Sequence, residues 1–91
     1  MVNGFTAIAK GLVQGVGFRF FVRNKAISLQ ITGSVRNLNN GTVEIEAQGE
    51  VSNLEQLLHL IEAGPIGSRV EKVDIQWHLT ERASKTFEIR G

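Results

Sequence analysis

Apolar and polar positions along this chain change their period several times, and each change marks an expected element. Phe5, Ala7 and Ala9 alternate weakly with Thr6, Ile8 and Lys10, which reads as a first strand. Phe18, Val22, Ala26 and Leu29 then recur at helical spacing. The segment from Phe20 to Leu29 is expected to be a helix whose stripe faces a core. Ile31 to Leu38 is extended, with Gly33, Val35 and Asn37 on one face. Asn39-Asn40-Gly41 tolerates the left-handed backbone of a tight turn and is a strong hairpin signal. Val43, Ile45 and Ala47 alternate with Glu44, Glu46 and Gln48, a strand with one wet face.

A second helix follows, with Ser52 and Glu55 spaced as a capping box and Leu54, Leu57, Leu58 and Ile61 as its stripe. Gly64-Pro65 stops it. Val73, Ile75 and Trp77 alternate with Asp74, Gln76 and His78 in a fourth strand, and Thr86 to Arg90 forms a short last one with Phe87 and Ile89 inward. The order β-α-β-β-α-β plus a terminal strand predicts an α+β, ferredoxin-like split βαβ fold. Both helices should cover one face of an antiparallel sheet.

A chain of 91 residues is expected to be a single domain, residues 1–91, with one core. Repeats, low-complexity segments and linkers are absent. No cysteine is present, which removes disulfides, thiolate metal sites and thiol nucleophiles. No signal peptide or membrane-spanning apolar run is visible, so the expected location is cytoplasmic. The net charge of +1 conceals an asymmetry: Lys10, Arg19, Arg23, Lys25 and Arg36 precede the first acid, Glu44. From Glu44 onward nine acids face five bases. Such a field favours a small anion near the basic half.

That half carries a glycine-rich loop, Gly11-Leu12-Val13-Gln14-Gly15-Val16-Gly17-Phe18-Arg19, between the first strand and the first helix. Glycines let the backbone bend so that successive N–H groups converge on an anion. The helix adds unpaired N–H groups and the positive end of its dipole. The Arg19 guanidinium, at the junction, can bind phosphate oxygens in two-pronged fashion. No Lys-Ser or Lys-Thr follows the glycines, so this is not a nucleotide P-loop, and the spacing is not that of a dinucleotide site. The loop by itself is equally compatible with a bare turn and a solvated arginine.

The remaining inventory is sparse. His59 and His78 are isolated in sequence and have no metal-ligand partner at useful spacing, and carboxylates suited to Mg²⁺ are missing from the loop's half. No cofactor or metal is expected. Asn37, just before the hairpin, is the polar side chain best placed to join the loop, although a turn residue bonding its own backbone would look the same. An amide cannot act as a base at neutral pH, but it can hold a water in line for attack. With no metal, general acid or protein nucleophile, such a site can hydrolyse only a phosphate whose leaving group departs unaided. A carboxylate is such a group, and an alkoxide is not.

These residues are also familiar as a set. The loop, through Arg19, closely resembles the first signature of the acylphosphatase family. Gly33-Ser34-Val35-Arg36-Asn37-Leu38-Asn39-Asn40-Gly41-Thr42-Val43, with Gly49 beyond, resembles the second, and Gly64-Pro65 with Val70 and Val73 resembles a later segment. The resemblance spans nearly the whole chain. It implies a ferredoxin-like fold and metal-independent hydrolysis of carboxyl–phosphate bonds. The family's phosphate-binding arginine falls on Arg19 and its water-orienting asparagine on Asn37. Backbone N–H groups of Gln14, Gly15, Val16, Gly17, Phe18 and Arg19 would hold the phosphoryl oxygens. Ser34, Leu12 and Ala9 depart from the family's usual aromatic, polar or larger aliphatic residues, away from the two functional positions. The expected partner is a small acyl phosphate, with no nucleic acid or membrane, and the expected state is a monomer. Two other classes fit the same architecture: a non-catalytic phosphate-binding or interaction domain, and a nucleic-acid module. The latter is disfavoured by Glu44 and Glu46 on the open face and by the lack of an exposed aromatic pair there.

Overall fold

The computed structural model describes residues 1–81 and 84–91. Seven elements follow one another: β1 (Val2–Leu12), α1 (Phe18–Ser28), β2 (Thr32–Asn37), β3 (Val43–Gln48), α2 (Val51–Ala63), β4 (Arg69–Thr80) and β5 (Phe87–Arg90). The strands form one five-stranded sheet in the order β4-β1-β3-β2-β5. α1 lies against β2 and β5, α2 against β1 and β4, and the helices touch each other, so both cover one face. This is the expected ferredoxin-like α+β arrangement.

One feature of the sheet differs from expectation. β1, β3, β2 and β4 pair antiparallel, but β5 runs parallel to β2, so the sheet is mixed. The cause is topological. β2 and β1 both oppose β3 and therefore share a direction, and β4 opposes β1. The chain leaving β4 crosses to the far edge and rises beside β2 in the same sense, where the Gly33 N–H donates to the Thr86 carbonyl at 2.9 Å.

The core follows from the two periodicities. Phe5, Ala7 and Ala9 of β1, and Val43, Ile45 and Ala47 of β3, are fully buried, as are Val22 and Ala26 of α1 and Leu54, Leu57 and Ile61 of α2. Burying each large member contributes about 1.5–3 kcal/mol. Phe87 of β5 closes the sheet end at 5% exposure. On the edge strand β4 the expected stripe is only half covered. Trp77 pairs with Phe5 across the ladder and meets its ring edge-on at 5.4 Å, yet stays 46% exposed.

The expected capping box at Ser52 and Glu55 does not form. Gly49 N–H donates to the Asn3 carbonyl at 3.0 Å just past the end of β3, and the helix begins at Val51 with Glu50 as its N-cap. Ser52 is then already inside the first turn, and no side chain caps the helix.

Folding also redistributes the charge asymmetry. Arg36 Nε lies 2.8 Å from a Glu44 carboxylate oxygen across the β2–β3 ladder. Lys10 Nζ lies 2.8 Å from Asp74 of β4, which Lys72 also approaches at 3.4 Å. The Lys10 hydrogen bond holds the Asp74 carboxyl below its ordinary range. Among the described residues no ion pair involves Arg19, Arg23 or Lys25. The surplus of positive charge therefore resides on α1.

Candidate active site

The loop is launched by an irregularity in the sheet. The β1–β4 register slips between Lys10 and Gly11, and such bulges redirect a strand. The chain then leaves the sheet, buries Val13, and enters α1 at Phe18, the first residue of the apolar stripe and two residues before the expected helix start at Phe20. Gly15 and Gly17 hold φ of 75° and 76°. A Cβ at either position would meet nothing within 4 Å, so the requirement for glycine is conformational rather than one of space. An L-residue would cost about 1–2 kcal/mol in that region.

Gly17 is the N-cap of α1, no side chain caps the helix, and its first turn contains no acid. The first N–H groups of the helix thus lack intrahelical acceptors and present the positive end of the dipole. Arg19 follows, half-buried, with Nη1 donating to the Gly91 backbone oxygen at 3.3 Å. That contact braces the guanidinium against the chain just beyond β5.

Asn37 is the last residue of β2, paired with Val43. Its Oδ1 is buried without any hydrogen-bond partner. The turn role falls instead to Asn40, whose Oδ1 accepts from Thr42 N–H at 3.1 Å and from the Thr42 hydroxyl at 2.6 Å. A buried acceptor without a partner costs about 1–3 kcal/mol, so such an atom calls for an explanation.

Gly15, Gly17, Phe18, Arg19, Phe20 and Asn37 line a common pocket of about 120 Å³, together with Val13. The fold has brought together two positions eighteen apart in sequence, the loop arginine and the strand-end asparagine. Of the six expected loop residues, Gln14 and Val16 do not line it with their side chains. Val16 packs against the core. The Gln14 Nε2 donates to the Leu38 and Thr42 carbonyls, both at 2.8 Å, and so ties the loop to the hairpin after Asn37. That side-chain role was not legible, because nothing in a sequence says which distant carbonyls a loop amide will meet. Phe20 was missed as well, although an aromatic residue off the buried stripe of its helix is a usable signal.

A wider concavity of about 440 Å³ lies among Met1, Val2, Asn3, Gln30, Gly49, Glu50 and Asn53. The one charged side chain among these is the Glu50 carboxylate, a poor match for an anion. No helix of the described residues is long and apolar enough to cross a membrane.

Comparison with known proteins converges on one family. The acylphosphatase family model matches residues 5–89. An acylphosphatase of Salinibacter ruber is 45% identical over 80 residues, 88% of this chain and 84% of the relative. One from Geobacillus thermodenitrificans is 44% identical over 82 residues, 90% of this chain and 87% of the relative. The crystal structure of acylphosphatase from Bacillus subtilis superposes with a TM-score of 0.95 at 30% identity, covering 98% of this chain and 99% of that one. With the loop, the mixed sheet and the matches in agreement over nearly its full length, this chain belongs to the acylphosphatase family.

Proposed function

We propose that this chain hydrolyses the carboxyl–phosphate bond of acyl phosphates, without a metal, using Arg19, Asn37 and the backbone of the loop. The observation that carries the reading is the buried, unpartnered Oδ1 of Asn37 beside the pocket that Arg19 and the helix N-terminus share. A water held there supplies the missing donor to Asn37. Backbone N–H groups from Gln14 to Arg19 and the Arg19 guanidinium hold the phosphoryl oxygens.

Phosphoryl transfer needs positioning and charge stabilisation more than covalent chemistry from the protein. The water oxygen attacks phosphorus in line as the bond from phosphorus to the acyl oxygen breaks. The bonding pair leaves with the carboxylate, and the water's proton passes to a phosphoryl oxygen, since the pocket side chains include no base. Guanidinium and N–H donors stabilise charge on the equatorial oxygens. The polar side chains of the pocket are one guanidinium and one amide, with no carboxylate beside them to hold a divalent cation.

The test is hydrolysis of benzoyl phosphate in the presence of EDTA. Equimolar benzoate and phosphate should be released at a rate that chelator does not change. Loss of activity in EDTA that Mg²⁺ restores would overturn the mechanism. Phosphate binding without turnover would establish the non-catalytic reading instead.

A further inference from the structure

A phosphoryl group held by the Arg19 guanidinium and the first N–H groups of α1 leaves its acyl group against the remaining wall of the pocket of roughly 120 Å³. Two aromatic side chains line this pocket, Phe18 and Phe20. Phe18 is 1% exposed and belongs to the core, where it packs against Phe21 at 6.4 Å. Phe20 is 62% exposed. It is off the buried stripe of α1, which runs through Phe18, Val22 and Ala26.

Single exposed apolar residues are ordinary on protein surfaces. Phe20 differs by position. It follows Arg19 directly, on the first turn of the helix whose N–H groups face the phosphoryl group. No ring among the described residues pairs with it, whereas Phe21 has both Phe18 and the Lys25 ammonium, 5.7 Å from its centroid. Its π face is thus available beside the site that the scissile bond would occupy.

We propose that Phe20 is the acyl-group platform of this enzyme, and that it selects acyl phosphates with flat aromatic acyl groups over small ones such as acetyl. The proposal rests on the acyl-phosphate hydrolysis argued above and adds the substrate class. Ring–ring contact is present in bound substrate and transition state alike, so it acts mainly through KM.

The experiment compares kcat and KM for benzoyl phosphate and acetyl phosphate in the native protein, Phe20→Ala and Phe20→Tyr. Inhibition constants of benzylphosphonate and methylphosphonate are measured on the same samples. In Phe20→Ala the preference in kcat/KM for benzoyl over acetyl phosphate should fall by about two- to tenfold, the range expected for one aromatic contact. The loss should appear in KM, the phosphonate inhibition ratio should fall in step, and Phe20→Tyr should keep both ratios within about twofold of native. Unchanged ratios in Phe20→Ala would overturn the proposal, as would equal losses for both substrates. The phosphonate arm decides the matter even for a variant that turns over poorly. Failure of the native protein to hydrolyse either substrate would instead sink the hydrolytic reading itself.

Discussion

The Gln14 side-chain nitrogen lies 2.8 Å from the Leu38 carbonyl oxygen and donates to it, which fastens the glycine-rich loop to the residue immediately after Asn37. The same nitrogen reaches the Thr42 carbonyl at 2.8 Å. Two halves of the candidate site, far apart in sequence, are thereby held at one spacing. Gln14→Ala should lower the melting temperature by several degrees, given about 1 kcal/mol per hydrogen bond and about 4–8 °C per kcal/mol for a domain of this size. It should also reduce kcat more than phosphate affinity, because the Asn37 water loses its alignment. Gln14→Glu should be worse than Gln14→Ala, since a carboxylate would face two carbonyl acceptors. Equal melting temperatures for native and Gln14→Ala protein would contradict this account.

Asn37→Ala separates function from folding. The Oδ1 makes no hydrogen bond among the described residues, so removing it takes no such contact from the native state. The melting temperature should hold or rise slightly. kcat should fall by roughly 10² or more, the scale of one preorganised polar group, ~2.7 kcal/mol. Competitive inhibition by inorganic phosphate should change little. A folded variant with near-native kcat would remove the water-positioning role from Asn37.

Arg19 should behave differently, because in the proposed mechanism it contacts the phosphoryl group both before and during the reaction. A lysine supplies the charge but not the planar fork. Arg19→Lys is expected to weaken phosphate inhibition and kcat together, with kcat/KM down by at least about tenfold, or about 1.4 kcal/mol. Steady-state kinetics with phosphate as competitor would detect it. A loss confined to kcat would assign Arg19 to the transition state alone.

Backbone shape in the loop is testable at Gly17, the left-handed N-cap of α1. Gly17→Ala meets no steric obstacle but must adopt φ near 76°. A stability loss of about 1–2 kcal/mol is expected from that conformation alone. Gly17→Asn, which tolerates the region better, should lose less. Denaturant titration of both variants ranks them, and the opposite order would show that something other than φ is at stake.

Leaving-group chemistry gives a prediction that needs no variant. The pocket side chains provide no general acid, so acyl phosphates should be cleaved far faster than alkyl phosphate monoesters. Comparable turnover of the two classes would reveal an acid or nucleophile outside the described pocket.

The sequence by itself determined most of the elements and the reaction class they imply. The stripe at Phe18, Val22 and Ala26, the alternation at Val43, Ile45 and Ala47, and the turn at Asn39-Asn40-Gly41 are local periodicities that burial enforces, so they survive into the structure. The left-handed turns at Gly15 and Gly17 and the position of Arg19 at the helix start were legible because glycines within one short loop after a strand allow that backbone. Tertiary structure decided what depends on partners remote in the chain. β5 pairs parallel with β2 because of where β4 ends, not because of anything in Phe87–Arg90. α2 begins at Val51, one residue before Ser52, so the Ser52 and Glu55 spacing falls inside the helix and caps nothing, while the preceding Gly49 N–H is tied to Asn3 of β1. The basic half loses its field at Lys10 and Arg36, which meet acids on neighbouring strands, and retains it on α1. Asn37 taken as a residue read more readily as a turn former than as a water ligand. Only the fold leaves its oxygen buried, unpaired and beside Arg19, because the hairpin's turn bonds are already satisfied by Asn40.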